Sequence, residues 1–249
     1  CHGYLVGEPH QGLKYMFQMM NEARIGVGFG AAVIGYRGYM HSLEYAKDRL
    51  QGRKASEKNP ESPQVPIIDH ADVRRMLLAQ KAYSEGGLAL CLYGARLMDD
   101  QHTHPDEQKR MEAGKLLDLL TPVIKAWPSE YGPKANDLAI QVYGGAGYTR
   151  EYPVEQCWRD NRLNPIHEGT NGIQALDLLG RKIWQDQSHG LQLLMQEMQA
   201  DLQAATTERC QQWALSLSET LQQAVKVTQS LGKSLMGGDP DKTLANASC

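Results

Sequence analysis

Apolar residues in this chain recur at helical spacing over long stretches, and the alternation that marks a half-buried strand is nearly absent. Val73, Leu77, Leu78 and Ala82 illustrate the 3.6-residue period. Leu, Ala and Met are common while Phe occurs only 2 times, so good helix formers outweigh strand formers. The pattern restricts the chain to an all-α architecture, an up-and-down helical bundle with a second helical bundle appended at its C-terminal end. At 249 residues there is chain enough for one large domain or two small ones.

Punctuation residues set the expected elements. Tyr4 to Gly12 reads as a strand end and turn, and a helix is expected from Leu13 to about Leu50. Gly52 to Pro66, rich in Lys, Ser, Pro and Asn, reads as a loop. A second helix is expected from about Ile67 to Asp99, followed by a polar connection to Glu107. A third runs from Glu107 towards Trp127 with Pro122 as a kink or restart, and a fourth covers Ser129 to Tyr143, giving four main helices. Gly144-Gly145 stops the fourth helix, and Gly144 to Arg150 follows as a loop. Pro153 fits the first turn of a short helix ending near Asn161, and Thr170 caps another running to about Trp184. From Gln185 the sequence becomes rich in Gln, Leu, Met and Ala. Two or three amphipathic helices are expected there, with Gly190 and Gly232 as breaks and a frayed end from Gly237. The resulting boundaries are 1–10 as the end of a preceding β-domain or linker, 11–184 as the main helical domain, and 185–249 as the extension.

Composition narrows the chemistry. A formal net charge of -3 with no basic stripe argues against a nucleic-acid partner. No apolar run approaches the ~20 residues of a membrane span, so stable membrane insertion is not expected. Cys1, Cys91, Cys157, Cys210 and Cys249 are scattered and odd in number, which suits free thiols in a reducing cytoplasm better than disulfides or a zinc site. His102 and His104 in a polar connection read as solvated side chains, and no metal is expected. Without an initiating Met or a leader, the chain reads as a piece of a longer protein.

The most informative stretch is Gln141-Val142-Tyr143-Gly144-Gly145-Ala146-Gly147-Tyr148, followed by Glu151-Tyr152-Pro153-Val154-Glu155, Trp158-Arg159-Asp160 and Ile166-His167-Glu168-Gly169-Thr170. A helix that ends in a glycine-rich turn exposes backbone N–H groups to which a phosphate or a flat ring can come close. Further on, a carboxylate stands in a loop just ahead of a capped helix start, a common setting for a catalytic group. Each feature alone has a plain structural reading, as a helix stop or as a charge favoured by a helix dipole.

In this order and spacing, the set resembles the acyl-CoA dehydrogenase family. The C-terminal domain of that family carries a Gln-x-x-Gly-Gly-x-Gly loop, a Glu-Tyr-Pro-Val-Glu helix, an Arg-Asp pair and a Glu-Gly-Thr segment. The resemblance runs from about Gly3 to Lys182. The extension and the run Ile173 to Lys182 resemble the long bacterial subgroup that includes 3-methylmercaptopropionyl-CoA dehydrogenases.

The resemblance implies an FAD-dependent enzyme that oxidises an acyl-CoA to the trans-2-enoyl-CoA and passes electrons to an electron-transfer flavoprotein. Glu168 would be the base that removes the α-proton, as a carboxylate desolvated by a bound acyl chain becomes basic enough for a weakly acidic C–H. The β-hydrogen would leave as hydride to flavin. Gln141, Val142, Tyr143, Gly144 and Gly145 match the loop that touches the adenosine half of a neighbouring subunit's flavin. Arg49 matches an arginine that reaches the flavin pyrophosphate across the dimer. Thr170, Asn171 and Gly172 match the segment touching the subunit's own flavin, although many members have Gln where Gly172 stands. Asn21, Glu22, Ala23 and Arg24, with Gly169, match positions that hold the CoA and acyl chain. His167 replaces a common Tyr beside the base. A homo-oligomer, dimer or tetramer, is implied, located in the bacterial cytoplasm or, for a eukaryotic chain, the mitochondrial matrix. Taken alone, this chain is expected to fold, to self-associate and to lack dehydrogenase activity.

Two other readings stand beside this one. Gly26-Val27-Gly28-Phe29-Gly30-Ala31 satisfies the loose dinucleotide fingerprint, which would suggest a nicotinamide-dependent oxidoreductase. No strand precedes it, however, and small residues for close helix packing explain it better. The other is a helical interaction or oligomerisation module of the same fold without catalysis.

Overall fold

The computed structural model describes residues 1–245 and 247. Eight α-helices follow in order among them: α1 (Gly12–Asp48), α2 (Ala71–Thr103), α3 (Glu107–Tyr143), α4 (Val154–Asn161), α5 (Asn171–Asp177), α6 (His189–Gln203), α7 (Glu208–Met236) and α8 (Pro240–Leu244). There is no strand among the described residues, in keeping with the all-α expectation, and none of their helices is long and apolar enough to cross a membrane. The Tyr4 to Gly12 run, expected to end a strand, forms a turn without one, because no second strand pairs with its backbone. Cys1, Cys91, Cys157 and Cys210 are free thiols, and Cys249 lies outside the described residues.

The chain divides into two compact units, one of residues 1–96 and 121–174 and the other of residues 97–120 and 175–249. In the first unit a line of small residues on α1 lets other backbones approach closely. Gly28 lies against the Ile124 carbonyl of α3, Gly35 against the Gly132 Cα, and Gly38 against the Asn136 amide. These partners advance together, so α1 and α3 run parallel. Along α2 the order reverses: Ala32 meets Gly87, while Ser42 donates to Gln80 Oε1 at 3.0 Å. The three long helices therefore run up, down and up. Gly26-Val27-Gly28-Phe29-Gly30-Ala31 lies wholly inside α1 with no strand before it, which removes the dinucleotide reading.

The break expected between a third and a fourth helix does not occur. α3 continues from Glu107 to Tyr143 through Pro122, Pro128 and Pro133, so three long helices replace the expected four. Proline in a helix interior removes a hydrogen bond and costs about 3 kcal/mol. Packing compensates here. The Ile124 carbonyl, which Pro128 cannot reach with an N–H, lies against Gly28 of α1, and Ser129 Oγ donates to the Lys125 carbonyl at 2.6 Å. The turn between α2 and α3 is correspondingly shorter than expected, since α2 runs on to Thr103. His104 Nδ1 accepts from the Asp106 N–H at 3.1 Å, so this histidine works as part of that turn.

In the second unit, neither expected glycine break interrupts a helix. Gly190 is the second residue of α6 and packs on Leu119 and the Lys115 carbonyl. Gly232 is buried within α7 with the Trp184 indole against its missing side chain. The helix expected to run from Thr170 to Trp184 is α-helical only to Asp177, then widens into a π-helical turn at Leu178–Lys182. Thr207 caps α7 by accepting from Cys210 N at 3.2 Å. The end expected to fray from Gly237 carries the short α8.

Candidate active site

The sequence-derived site residues of the first unit fall into two places. One is a cleft of about 670 Å³ at the C-terminal ends of α1 and α3, lined among others by Arg49, Tyr45, Gly52 and the run Gln141 to Ala146. Helix α3 stops because Gly144 adopts a left-handed φ of 62°, which glycine alone reaches without strain. Beyond it a single 3₁₀ turn covers Gly144–Tyr148. A β-carbon at either Gly144 or Gly145 would meet nothing within 4 Å, so this backbone faces open space.

Side chains just below hold the turn in place. Val142 is buried with Tyr39, Ile67 and Leu77, and Tyr143 stacks on Tyr45 with ring centroids 4.0 Å apart. Tyr143 Oη donates to the His41 carbonyl at 3.1 Å, and burial raises its pKa. Val142 and Tyr143 thus brace the turn, and the cleft receives mainly their backbone. At the mouth, the Gly52 to Pro66 loop closes on itself through Gln51 N to Val65 O at 3.0 Å and Ile67 N to Arg49 O at 2.8 Å. That closure fixes the backbone of Arg49, whose exposed guanidinium has no carboxylate partner among the described residues. An exposed cation beside open glycine backbone suits a phosphate-bearing ligand with a flat ring, as a dinucleotide flavin is.

The second place is the loop between α4 and α5. Glu168 has a φ of 54° and Gly169 a φ of 82°, two consecutive left-handed residues. For a side chain other than glycine this conformation costs about 1–2 kcal/mol, and such strain concentrates at functional sites. No hydrogen bond or ion pair reaches the Glu168 carboxylate among the described residues. The backbone around it is held firmly. Gln174, fully buried, donates from Nε2 to the Glu168 and Gly169 carbonyls at 3.3 Å each. Its Oε1 is buried without a hydrogen-bond partner among the described residues. Thr170 Oγ1 accepts from Ile173 N at 3.3 Å, the cap expected for α5. His167 Nδ1 lies 3.0 Å from the Leu163 carbonyl.

Beneath the loop runs a buried polar chain that sequence reasoning missed. Asn136 Nδ2 donates to the Ile34 carbonyl at 3.0 Å. Asn161 Nδ2 donates both to Asn136 Oδ1 at 2.7 Å and to the Ala31 carbonyl at 3.1 Å, and Asn164 Nδ2 donates to Asn161 Oδ1 at 2.8 Å. Lys125 ends the chain. It is fully buried, and its Nζ donates to the Asn164 carbonyl at 2.9 Å and to Asn171 Oδ1 at 3.4 Å. Burial first, and then the positive charge of Arg24, lower the Lys125 pKa to about 8, while the negative charge of Glu168 opposes the fall. The guanidinium of Arg24 and the carboxylate of Glu168 therefore act on one ammonium. Asn21, Ala23 and Arg24 are half-buried on α1 and Glu22 is exposed. Asn171 is half-buried, with its Nδ2 donating to Glu130 at 3.3 Å, while Gly172 is exposed, with Thr170 Oγ1 4.0 Å from where a β-carbon on it would stand. A charged residue at a core position of α3 was the sequence signal that could have revealed Lys125.

The profile of the acyl-CoA dehydrogenase C-terminal domain matches residues 10–183. The chain belongs to the acyl-CoA dehydrogenase family. It is 45% identical over 184 residues to a 3-methylmercaptopropionyl-CoA dehydrogenase of Ruegeria pomeroyi, covering 74% of this chain and 31% of that protein. It is 40% identical over 193 residues to a broad-specificity linear acyl-CoA dehydrogenase of Mycobacterium tuberculosis, covering 76% of this chain and 31% of that protein. The chain thus spans just under a third of these relatives. Butyryl-CoA dehydrogenase of Megasphaera elsdenii superposes with a TM-score of 0.56 at 25% identity, over 70% of this chain and 39% of that one. The fold of Caenorhabditis elegans ACDH-11, solved with C11-CoA, covers 95% of this chain and 36% of that chain, with a TM-score of 0.74 at 19% identity. Its likeness takes in the C-terminal extension as well as the family domain. Members of the family are FAD-dependent oxidoreductases acting on acyl-CoA.

Proposed function

We propose that this chain supplies the base and the helical walls of an acyl-CoA dehydrogenase that converts an acyl-CoA thioester to its trans-2-enoyl derivative. The observation that carries the reading is Glu168: a carboxylate with no hydrogen-bond or ion-pair partner among the described residues, its backbone held on a strained turn, with the charges of Arg24 and Lys125 nearby. An acyl chain seated over it strips water from the carboxylate and raises its basicity towards that of the α-carbon it must deprotonate. The α-proton passes to a Glu168 carboxylate oxygen as the α,β double bond forms. The FAD held by the residues named next would supply the hydride acceptor for the β-hydrogen.

Thr170, Asn171 and Gly172 would hold the subunit's own flavin. Arg49 and the Gln141 to Gly145 turn would hold the adenosine half of a neighbour's, which makes the working form a homo-oligomer. Asn21, Glu22, Ala23, Arg24 and Gly169 would line the thioester side. Electrons would leave to an electron-transfer flavoprotein. Because the chain covers 31% of its relatives' length, it would not turn over acyl-CoA by itself.

Glu168→Gln in the complete protein tests the reading. The variant should bind FAD and acyl-CoA as before yet fail to bleach the flavin absorbance when acyl-CoA is added without oxygen. Bleaching at the wild-type rate would show that Glu168 is not the base.

A further inference from the structure

The loop that carries Glu168 is tied down at both ends by one side chain. Lys125 Nζ reaches the Asn164 carbonyl, four residues before Glu168, and Asn171 Oδ1, three residues after it. Lys125 has no exposed surface, so its ammonium cannot exchange these partners for water. Nothing about helix α3 requires a lysine here. The position faces the core, where an apolar residue would cost no desolvation, and a buried ammonium is expensive unless its hydrogen bonds do something.

The remaining contacts of the loop run the same way. Asn171 N donates to the Pro165 carbonyl at 3.2 Å, drawing the two ends together, and Gln174 holds the Glu168 and Gly169 carbonyls. The Asn164 end continues through Asn161 and Asn136 to the backbone of α1 at Ala31 and Ile34. Glu168 sits at the top of this arrangement with a φ of 54°, a conformation that persists only where the surroundings dictate it.

We propose that Lys125 is the positioning residue for the base. Its buried ammonium clamps both ends of the Asn164 to Asn171 loop, and so fixes the Glu168 carboxylate in place for proton removal. The proposal rests on Glu168 being that base. Lys125 touches neither substrate nor flavin in this scheme; it acts through the loop. At neutral pH the group remains mostly protonated, since burial brings its pKa only to about 8.

The test uses the complete flavoprotein and acyl-CoA deuterated at the α-carbon. Lys125→Met keeps the length and apolar bulk of the side chain and removes the clamp. It should retain FAD and lose kcat by roughly 10- to 100-fold, the usual consequence of misplacing a reacting group by about an ångström. KM should move far less. The α-deuterium isotope effect on kcat should rise, because proton removal becomes the slow step, and a mere loss of folded protein would leave that ratio unchanged. Lys125→Gln, which keeps a buried donor without the charge, is the second variant. It should show the same rise in isotope effect with a smaller loss of rate. Either variant with full flavin content, wild-type kcat and an unaltered isotope effect overturns the proposal. Glu168→Gln assayed alongside separates the two claims. If it turns over normally, the base assignment fails and the clamp loses its purpose. If it is inactive while the Lys125 variants behave as wild type, the positioning role alone fails.

Discussion

Gly28 of α1 lies so close to the backbone carbonyl of Ile124 in α3 that a β-carbon on it would stand 2.1 Å from the oxygen. The contact is backbone to backbone, so neither side can swing away. Gly28→Ala should therefore force the helices apart and cost about 3 kcal/mol, at the upper end of overpacking penalties. Gly30, two residues on, has nothing within 4 Å of where its β-carbon would be. Gly30→Ala should stabilise the chain by up to about 1 kcal/mol through helix propensity. Urea unfolding of the two variants checks the pair. Equal stability of Gly28→Ala and the unaltered chain would show that the helices do not meet as described.

The left-handed turn at Glu168 sets stability against function. Glycine adopts a φ of 54° without the steric cost that a glutamate meets. Glu168→Gly should raise stability by about 1 kcal/mol, roughly 2–4 °C in Tm for a domain of this size. The same change should abolish dehydrogenation. A fall in Tm on thermal unfolding would mean that the turn is held for reasons other than the carboxylate.

Arg49 offers the cleft a cation with no carboxylate partner among the described residues, beside a turn whose glycine backbone faces open space. A charge-assisted hydrogen bond to a phosphate is worth about 1.5–3 kcal/mol. Arg49→Gln in the complete protein should weaken FAD binding by roughly 10- to 150-fold. Arg53→Gln is the control, because the Arg53 guanidinium already serves the Ser62 carbonyl of its own loop. Fluorescence titration of the apoprotein with FAD measures both. Unchanged affinity in Arg49→Gln would remove Arg49 from the cofactor site.

How legible the molecule was in its sequence depended on whether the determinant was local. The ends of α1 and α4, the stop at Gly144 and the cap at Thr170 rest on propensity and capping within a few residues, and the sequence places them within a residue or two. The three prolines of α3 point locally to a break that tertiary contacts from α1 prevent, so one long helix stands where two were expected. Gly232 reads locally as a helix breaker, whereas Trp184, 48 residues earlier, fills the space above it. At the candidate site, Glu168 and the glycine turn form a recognisable linear pattern. Lys125, Asn136, Asn161, Asn164 and Gln174 do not, because their roles arise only when α1, α3 and the α4–α5 loop meet. The left-handed conformation at Glu168 was equally hidden, since a glutamate gives no sign of it.

The protonation of Lys125 should be visible in stability. Burial and the charge of Arg24 lower its pKa from 10.5 to about 8 in the folded chain, with Glu168 opposing. In the unfolded chain water restores the ordinary value. Between about pH 8 and about pH 10.5 the unfolded state therefore binds more protons than the folded one at this site, and linkage requires stability to rise with pH across that window. Below about pH 8 both states are protonated and the full cost of burying the ammonium is present. Above about pH 10.5 both are neutral and that cost is gone. A neutral amine still donates to the Asn164 carbonyl, so the loop stays tied as the charge leaves. Lys125→Met has no such titration. The Tm of the unaltered protein minus that of Lys125→Met should therefore grow more positive from pH 7.5 to pH 9.5, by an amount equivalent to about 1–2 kcal/mol, given ~1.4 kcal/mol per pH unit for one proton. All other groups titrate alike in both proteins and cancel in the difference. A difference in Tm that stays flat across this range would show that Lys125 carries its ordinary pKa and is not buried as an ammonium beneath the base.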